Sequence, residues 1–301
     1  MRLGFTCFAF VGVLASPVML VAQAGIPAAA AQPTSSCSSC AEWNAPQRPL
    51  RIHGSSYYVG THGLGSILVT SSEGHILIDG ALPESAPLIL ASIRSLGFRV
   101  EDVKLILSSH THFDHVGGIA ALQRATGATV AATAPSAVVL ERGTAGLDDP
   151  QYGQLPSFPP VRGVRVVADG ETVRVGPLAM TAHLTPGHTH GGTSWTWRSC
   201  EEGRCLDLVY ADSQTPISAA GFSFTGSQAL ADFEYGLPVL EQLPCDVLLT
   251  PHPGASKLWE RVAAREHGVK DALIDGGACR RYVAVAREQL ARRLASEAEK
   301  R

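Results

Sequence analysis

From residue 50 onward, apolar residues come in short runs broken by Gly and Ser. Tyr57-Tyr58-Val59-Gly60, Ser66-Ile67-Leu68-Val69-Thr70 and His75-Ile76-Leu77-Ile78-Asp79 are β-branched or aromatic, and their separation is hairpin punctuation. A longer period over 85–96, with Leu88, Leu90, Ile93 and Leu96, predicts a helix. Residues 103–108 form an apolar run that ends at the polar cluster beginning with His110, so a strand is expected to open into a loop there. A helix follows over 118–125 and a strand over 128–132. Between 133 and 163 the pattern predicts a short helix and then a Gly/Pro-rich loop over 148–162. Further strands are expected near 164–167, 171–175, 180–184, 194–198, 206–210 and 247–250, with a helix over 229–242. The final helix, 281–294, places Tyr282, Val283, Ala286, Leu290 and Leu294 along one face. Several neighbouring strands are joined by hairpin-length turns, which predicts a mixed, layered α/β domain rather than a purely parallel doubly wound sheet. With no internal repeat, one domain over 49–301 is the economical reading.

The first residues follow a different pattern. Arg2 is charged and no charge recurs until Glu42; between them lie an apolar stretch at 5–22 and small residues at 22–31. Ala22-Gln23-Ala24 fits a small-x-small cleavage site and Ala29-Ala30-Ala31 offers a second. The expectation is a signal peptide over 1–24, cleaved as late as 31, then an Ala/Ser/Pro-rich tail over 25–48. A membrane anchor is the competing reading, weakened by Pro17 and the small-residue tail.

Composition narrows the class. A 45% hydrophobic and 17% charged chain of 301 residues fits a packed soluble enzyme and excludes a disordered or collagen-like one. A net charge of -3 leaves no electrostatic footprint for nucleic acid. The basic residues from 280 onward alternate with Glu288, Glu297 and Glu299, as on a solvated helix face. With Cys7 removed, Cys37, Cys40, Cys200, Cys205, Cys245 and Cys279 remain, an even set that suggests disulfides in an exported chain. Cys200 and Cys205 flank a polar turn suited to a hairpin. Cys245 and Cys279 would then pair across a longer loop, and Cys37 and Cys40 would close a small ring. A zinc knuckle or redox Cys-x-x-Cys is the alternative for the last pair, and sequence alone fixes no pairing.

The chemistry concentrates in His110-Thr111-His112-Phe113-Asp114-His115. So many imidazoles in one short run are improbable as core residues, because each buries a polar ring that needs a partner. Alternation at 110, 112 and 114 would aim these side chains to one side of an extended backbone, with His115 turned elsewhere. That gives ligands for two nearby points, and imidazole with one carboxylate suits zinc. His188 in Thr185-Pro186-Gly187-His188-Thr189 and His252 in Thr250-Pro251-His252-Pro253 each follow an expected strand, where α/β sites gather.

Together with Tyr210-Ala211-Asp212-Ser213, these motifs resemble the metallo-β-lactamase superfamily and, in detail, its subclass B3; the likeness runs from about residue 43 to the final helix. The resemblance implies a four-layer αββα sandwich and two zinc ions per subunit. His110, His112 and His188 would hold the first, and Asp114, His115 and His252 the second. A hydroxide bridging the metals would attack the β-lactam amide carbonyl of penicillins, cephalosporins or carbapenems, with Asp114 as the catalytic residue orienting it. Ser213 and Thr215 resemble positions that bind the substrate carboxylate, and Gln151 a pocket-lining one. Asp79 resembles a residue supporting the site from behind. The Cys245/Cys279 pair also matches. His190 stands where many relatives carry Pro and is expected to face solvent or stand behind the ligands; His62 stands where one branch carries a disulfide Cys. His53, His75, His183 and His267 lack motif context and are expected to be structural. The partner implied is a small molecule, with no nucleic acid and no stable membrane association after signal removal, and the chain is expected to be a periplasmic or secreted monomer. The alternative is another di-zinc hydrolase of this fold, a lactonase or a glyoxalase II-like thioesterase; such enzymes commonly bridge their metals with an Asp, a role Asp212 would take here.

Overall fold

The computed structural model describes Met1, Gly4 and residues 37–300. The chain divides into a unit Met1–Ala31 and a unit Gln32–Arg301, and every described strand and helix belongs to the second. The expected signal peptide lies outside the described residues, apart from Met1 and Gly4.

Among the described residues, twelve strands form two sheets. The first holds β1 (Leu50–His53), β2 (Ser56–Tyr58), β3 (Ile67–Ser71), β4 (Gly74–Ile78), β5 (Val103–Leu107), β6 (Thr129–Thr133) and β7 (Arg165–Val167), in that order. β1 to β4 pair antiparallel and β4 to β7 parallel. The second runs β12 (Val247–Leu249), β11 (Arg204–Tyr210), β10 (Thr193–Glu201), β9 (Leu178–Leu184) and β8 (Thr172–Val175). Helices alternate with these strands: α1 (Cys40–Trp43), α2 (Ala86–Ser95), α3 (Phe113–Val116), α4 (Ile119–Thr126), α5 (Ala134–Arg142), α6 (Gln228–Gln242), α7 (Leu258–Glu266) and α8 (Ala278–Ala298).

Three separate apolar clusters show the layering. Successive strand residues point to opposite faces, and in β4 Ile76 and Ile78 enter one cluster while Leu77 enters another. Leu77, Ile106 and Val130 pack with Ile89, Ile93, Ile119 and Leu140 of α2, α4 and α5. Ile76, Ile78 and Leu107 meet Met180, Trp195 and Leu208 between the sheets. Val209 and Leu248, on the far face of the second sheet, meet Phe233, Leu240, Val283 and Leu290 of α6 and α8. Helix, sheet, sheet, helix is the four-layer sandwich expected from the motifs.

Some details differ from the sequence reading. Residues 37–48, expected to be a tail, are packed onto the domain. Cys40 is buried, and the Trp43 carbonyl accepts from the Thr61 hydroxyl at 2.7 Å and the Gly63 N–H at 3.1 Å. α7 was not anticipated: its buried Leu258 and Val262 join the inter-sheet core on an otherwise charged segment, so its apolar stripe is narrow. All three cysteine pairs are disulfides, Cys37–Cys40, Cys200–Cys205 across the β10–β11 hairpin, and Cys245–Cys279 tying α8 to the strand edge. Among the described residues no helix is long and apolar enough to cross a membrane.

Candidate metal centre

The loops that follow β4, β5, β9, β11 and β12 converge at one end of the two sheets. β5 ends at Leu107, and the next residues are locked before the first ligand candidate appears. The Asp79 carboxylate, just after β4, accepts the Ser109 N–H at 2.8 Å, the Ser109 hydroxyl at 2.6 Å and the Tyr210 hydroxyl at 2.9 Å. Burial pushes the Asp79 carboxyl up to about 7, against these hydrogen bonds, which pull it down. Ser109 also accepts the Thr193 N–H at 2.8 Å, so it fastens the first sheet to the second immediately before His110.

The chain is extended through His112 and then turns. The N–H groups of His115 and Val116 both bond the His112 carbonyl at 3.0 Å, starting the short helix α3. This corrects the alternation expected from sequence: His110 and His112 face one point, whereas Asp114 lies on the helical turn and faces another with His115. Ligand atoms of His110, His112 and His188 lie within 4.8 Å of one another, and those of Asp114, His115 and His252 form a second such group. The His110 and His115 rings, 4.3 Å apart between centroids, join the two groups.

In the first group each imidazole spends one nitrogen on an outside partner. His110 Nδ1 donates to Asp212 Oδ1 at 2.7 Å, His112 Nε2 to Asp149 Oδ2 at 2.9 Å, and His188 Nδ1 to the Thr215 carbonyl at 2.8 Å. These bonds fix the tautomers and leave His110 Nε2, His112 Nδ1 and His188 Nε2 as lone-pair donors. His110 Nε2 is buried without a hydrogen-bond partner, as a nitrogen reserved for a cation would be. Burial, with the neighbouring imidazoles, holds His110 well below its ordinary value and His188 down to about 3, so both are neutral imidazoles with a lone pair to offer.

The second group is bound to itself. Asp114 Oδ2 lies 3.1 Å from His115 Nε2 and 3.3 Å from His252 Nε2, and the two nitrogens are 3.2 Å apart. A tetrahedral ion bound at about 2.0–2.1 Å would space its ligand atoms by roughly 3.3 Å. Burial would raise the Asp114 carboxyl, but His115 and His252 outweigh it and hold the group well below the carboxylate range. Trp43 lies against the His252 ring with centroids 5.1 Å apart. Both donor sets therefore fit a divalent cation in chemistry, and the second matches it in spacing as well.

Two glycines permit the close packing behind these ligands. A Cβ on Gly192 would come within 2.4 Å of Asp212 Oδ2, and Gly187, at φ +143°, lies against the Phe233 ring of α6. Ser213 is buried directly after Asp212. The Thr215 hydroxyl lies 3.3 Å from His188 Nδ1, so this residue faces a ligand as well as the loop. Gln151 is half-buried, and its N–H donates to Asp149 Oδ1 at 2.8 Å. The bracing by Asp149 escaped the sequence reading, where the residue stood in a loop without a motif; Asp212 stood beside Ser213 with a different role in view. His190 is not a member of either ligand group: its Nδ1 donates to Asp232 Oδ2 of α6 at 2.8 Å. His62 stacks on Trp259 with rings 5.1 Å apart. His53 and His267 bond backbone carbonyls and His183 a threonine hydroxyl, while buried His75 sits edge-on to Phe98.

Residues 65–274 match the family profile of the metallo-beta-lactamase superfamily. Among solved structures the chain is similar to Rm3 metallo-beta-lactamase, with 55% identity, a TM-score of 0.85, and coverage of 87% of this chain and 99% of that one. It is also similar to MEM-A1, a subclass B3 metallo-beta-lactamase isolated from a soil metagenome library, at 50% identity and a TM-score of 0.84, covering 86% of this chain and 100% of that one. MIM-1 from Novosphingobium pentaromativorans shares 47% identity at a TM-score of 0.82, covering 86% and 93%. A curated relative, a hydroxyacylglutathione hydrolase of Cereibacter sphaeroides, is 31% identical over 168 residues, 56% of this chain and 53% of its own length. The chain thus spans between about a third and about half of the length of the curated relatives it matches.

Proposed function

The chain belongs to the metallo-beta-lactamase superfamily, and from that premise we propose that it is a subclass B3 enzyme hydrolysing the amide bond of β-lactam antibiotics with two zinc ions. The observation that carries the reading is the pair of ligand groups, three imidazoles beside an Asp-His-His set, in a chain 55% identical to a metallo-beta-lactamase over nearly all of that protein. His110, His112 and His188 would hold one zinc and Asp114, His115 and His252 the other. Bound zinc would supply a water ionised near neutral pH and polarisation of the amide carbonyl.

The protein's own part is positioning. Asp212, Asp149 and the Thr215 carbonyl orient the first three imidazoles, and Asp114, held ionised by His115 and His252, would accept a proton and aim the nucleophile. Ser213 and the Thr215 hydroxyl lie on the loop beside His188 and would receive the substrate carboxylate, with Gln151 on the facing loop. The reading takes the mature chain as an exported monomer acting on a small molecule. A lactonase or thioesterase built on a bridging Asp would need Asp212 between the metals. Its Oδ1 instead meets the outer nitrogen of His110, and its Oδ2 faces Gly192.

Purified chain assayed against nitrocefin and a carbapenem, with and without a chelator, tests the proposal. Turnover that disappears with the chelator and returns with zinc is expected. No chelator-sensitive turnover of either compound would sink it.

A further inference from the structure

Residues 211–227, between β11 and α6, have no regular secondary structure and carry Ser213 and Thr215. A loop of this length is normally the least fixed part of a site. Its first half is held to the metal centre by the Thr215 carbonyl on His188, and to the start of α8 by the Asp212 carbonyl, which accepts the Tyr282 hydroxyl at 3.0 Å. Its second half is held from elsewhere. Near the C-terminal end of α8, Glu297 accepts the N–H groups of Phe224 at 2.9 Å and Thr225 at 3.0 Å, and the hydroxyls of Ser223 and Thr225 at 2.8 Å each. One turn earlier, Arg293 donates to the Ser218 hydroxyl at 2.9 Å and the Phe222 carbonyl at 2.8 Å, and its guanidinium lies 5.1 Å over the buried Phe224 ring. The two side chains are themselves paired at 2.8 Å.

The geometry sets this pair apart from the other ion pairs of α8. The Glu297 side chain is 10% exposed, whereas Arg292–Glu288 and Arg287–Glu241 are between 35% and 65% exposed and bond nothing in the loop. Exposed pairs contribute little, while a desolvated carboxylate accepting several N–H and O–H groups is a strong, directional anchor. From the anchored segment a further bond, Ala219 N–H to the Pro150 carbonyl at 2.8 Å, reaches the facing loop that carries Asp149 and Gln151.

We propose that Arg293 and Glu297 are positioning residues for substrate: they clamp residues 218–225, and through Ala219 and Pro150 they set the separation of the two loops that border the metal centre. This rests on the reading that Ser213, Thr215 and Gln151 meet the substrate. Neither residue touches the reacting atoms, so the clamp acts on substrate binding and leaves metal binding alone.

The test compares Glu297→Gln and Arg293→Met with Arg287→Met, which removes an exposed pair of the same helix, all in the full chain. Three quantities are read: kcat and KM for nitrocefin, zinc content, and amide hydrogen exchange by peptide. For the two clamp variants KM should rise roughly fivefold with kcat within about twofold, zinc content should stay at the wild-type level, and exchange should accelerate over 216–226 but not over 110–116. Arg287→Met should match wild type in all three. Exchange that stays unchanged, or rises evenly along the chain, overturns the clamp, as does a faster loop with an unchanged KM. If the wild-type chain turns over no β-lactam, the functional reading fails, and the exchange pattern still decides whether the clamp exists.

Discussion

The two ligand groups sit side by side, yet the protein supports them differently. Around His110, His112 and His188 every imidazole is braced from behind, by a carboxylate, a second carboxylate and a main-chain carbonyl. Around Asp114, His115 and His252 the close polar contacts are among the ligands themselves. His115 Nδ1 is buried with no hydrogen-bond partner, and the His252 side chain remains 35% exposed with a Trp43 ring against it. Braces fix ring orientation before a cation arrives, so the ordering entropy is already spent at the first group. At the second, the cation must assemble its own ligands. The first group should therefore bind zinc more tightly, and a chelator titration should empty the second group first.

The largest expected effect breaks the first group outright. His110→Ala removes the imidazole that is fully buried and shared at the boundary of both groups, and kcat/KM for nitrocefin should fall by more than about a thousandfold. Zinc content by elemental analysis should drop with it. Retention of two zinc ions and normal turnover would mean that the ligand groups have been misassigned.

A smaller change removes a brace and keeps the ligands. Asp149→Ala leaves His112 in place but frees its ring, and zinc affinity at the first group should weaken by roughly 10- to 100-fold. The counterpart on the other side is Trp43→Ala, which removes the ring against His252. Because Trp43 packs on that imidazole without a hydrogen bond to it, only the second zinc should weaken, by less than about tenfold. Competition with a chromophoric chelator reads both. Equal losses of both zinc ions in each variant would erase the distinction between the groups.

The two clusters of candidate ligands were legible in the sequence and their braces were not, for a physical reason. His110 to His115 form one dense run, and His188 and His252 share with it a position just after a strand, so local pattern carried them. Asp149 and Asp212 act across 37 and 102 residues of chain; nothing near Asp149 distinguishes it from a loop aspartate, and the motif around Asp212 pointed to a bridging role rather than to a brace on His110. The helical turn at Phe113–Val116 was equally hidden, because the motif is too short to show a period and Asp114 reads as well on an extended chain. The sheets and long helices followed from apolar spacing. α7 did not, since two buried side chains on a charged helix leave a weak signal. The Glu297 clamp looked like one more residue of a solvated face, and only the loop folded over it removes it from water.

The smallest effect on turnover, and the subtlest test of the bracing, concerns Asp79. It touches no ligand; it holds Ser109, and Ser109 fixes where His110 begins. Burial raises its carboxyl to about 7 from 3.8. A carboxyl raised on folding binds its proton more tightly in the native state than in the unfolded one, so between those two values the native state carries the extra proton. Stability from this group is present at the acid end and is lost as pH climbs from about 4 to about 7. Asp79→Asn keeps the shape and an acceptor for the Ser109 N–H but cannot ionise, so it escapes that loss. The melting temperature of Asp79→Asn relative to wild type should therefore improve as pH climbs from about 5 to about 7 and level off above that, with little change in nitrocefin turnover at neutral pH. A difference that stays flat across this range would show that Asp79 is ionised throughout. The support behind His110 would then be an anionic anchor and not a neutral one.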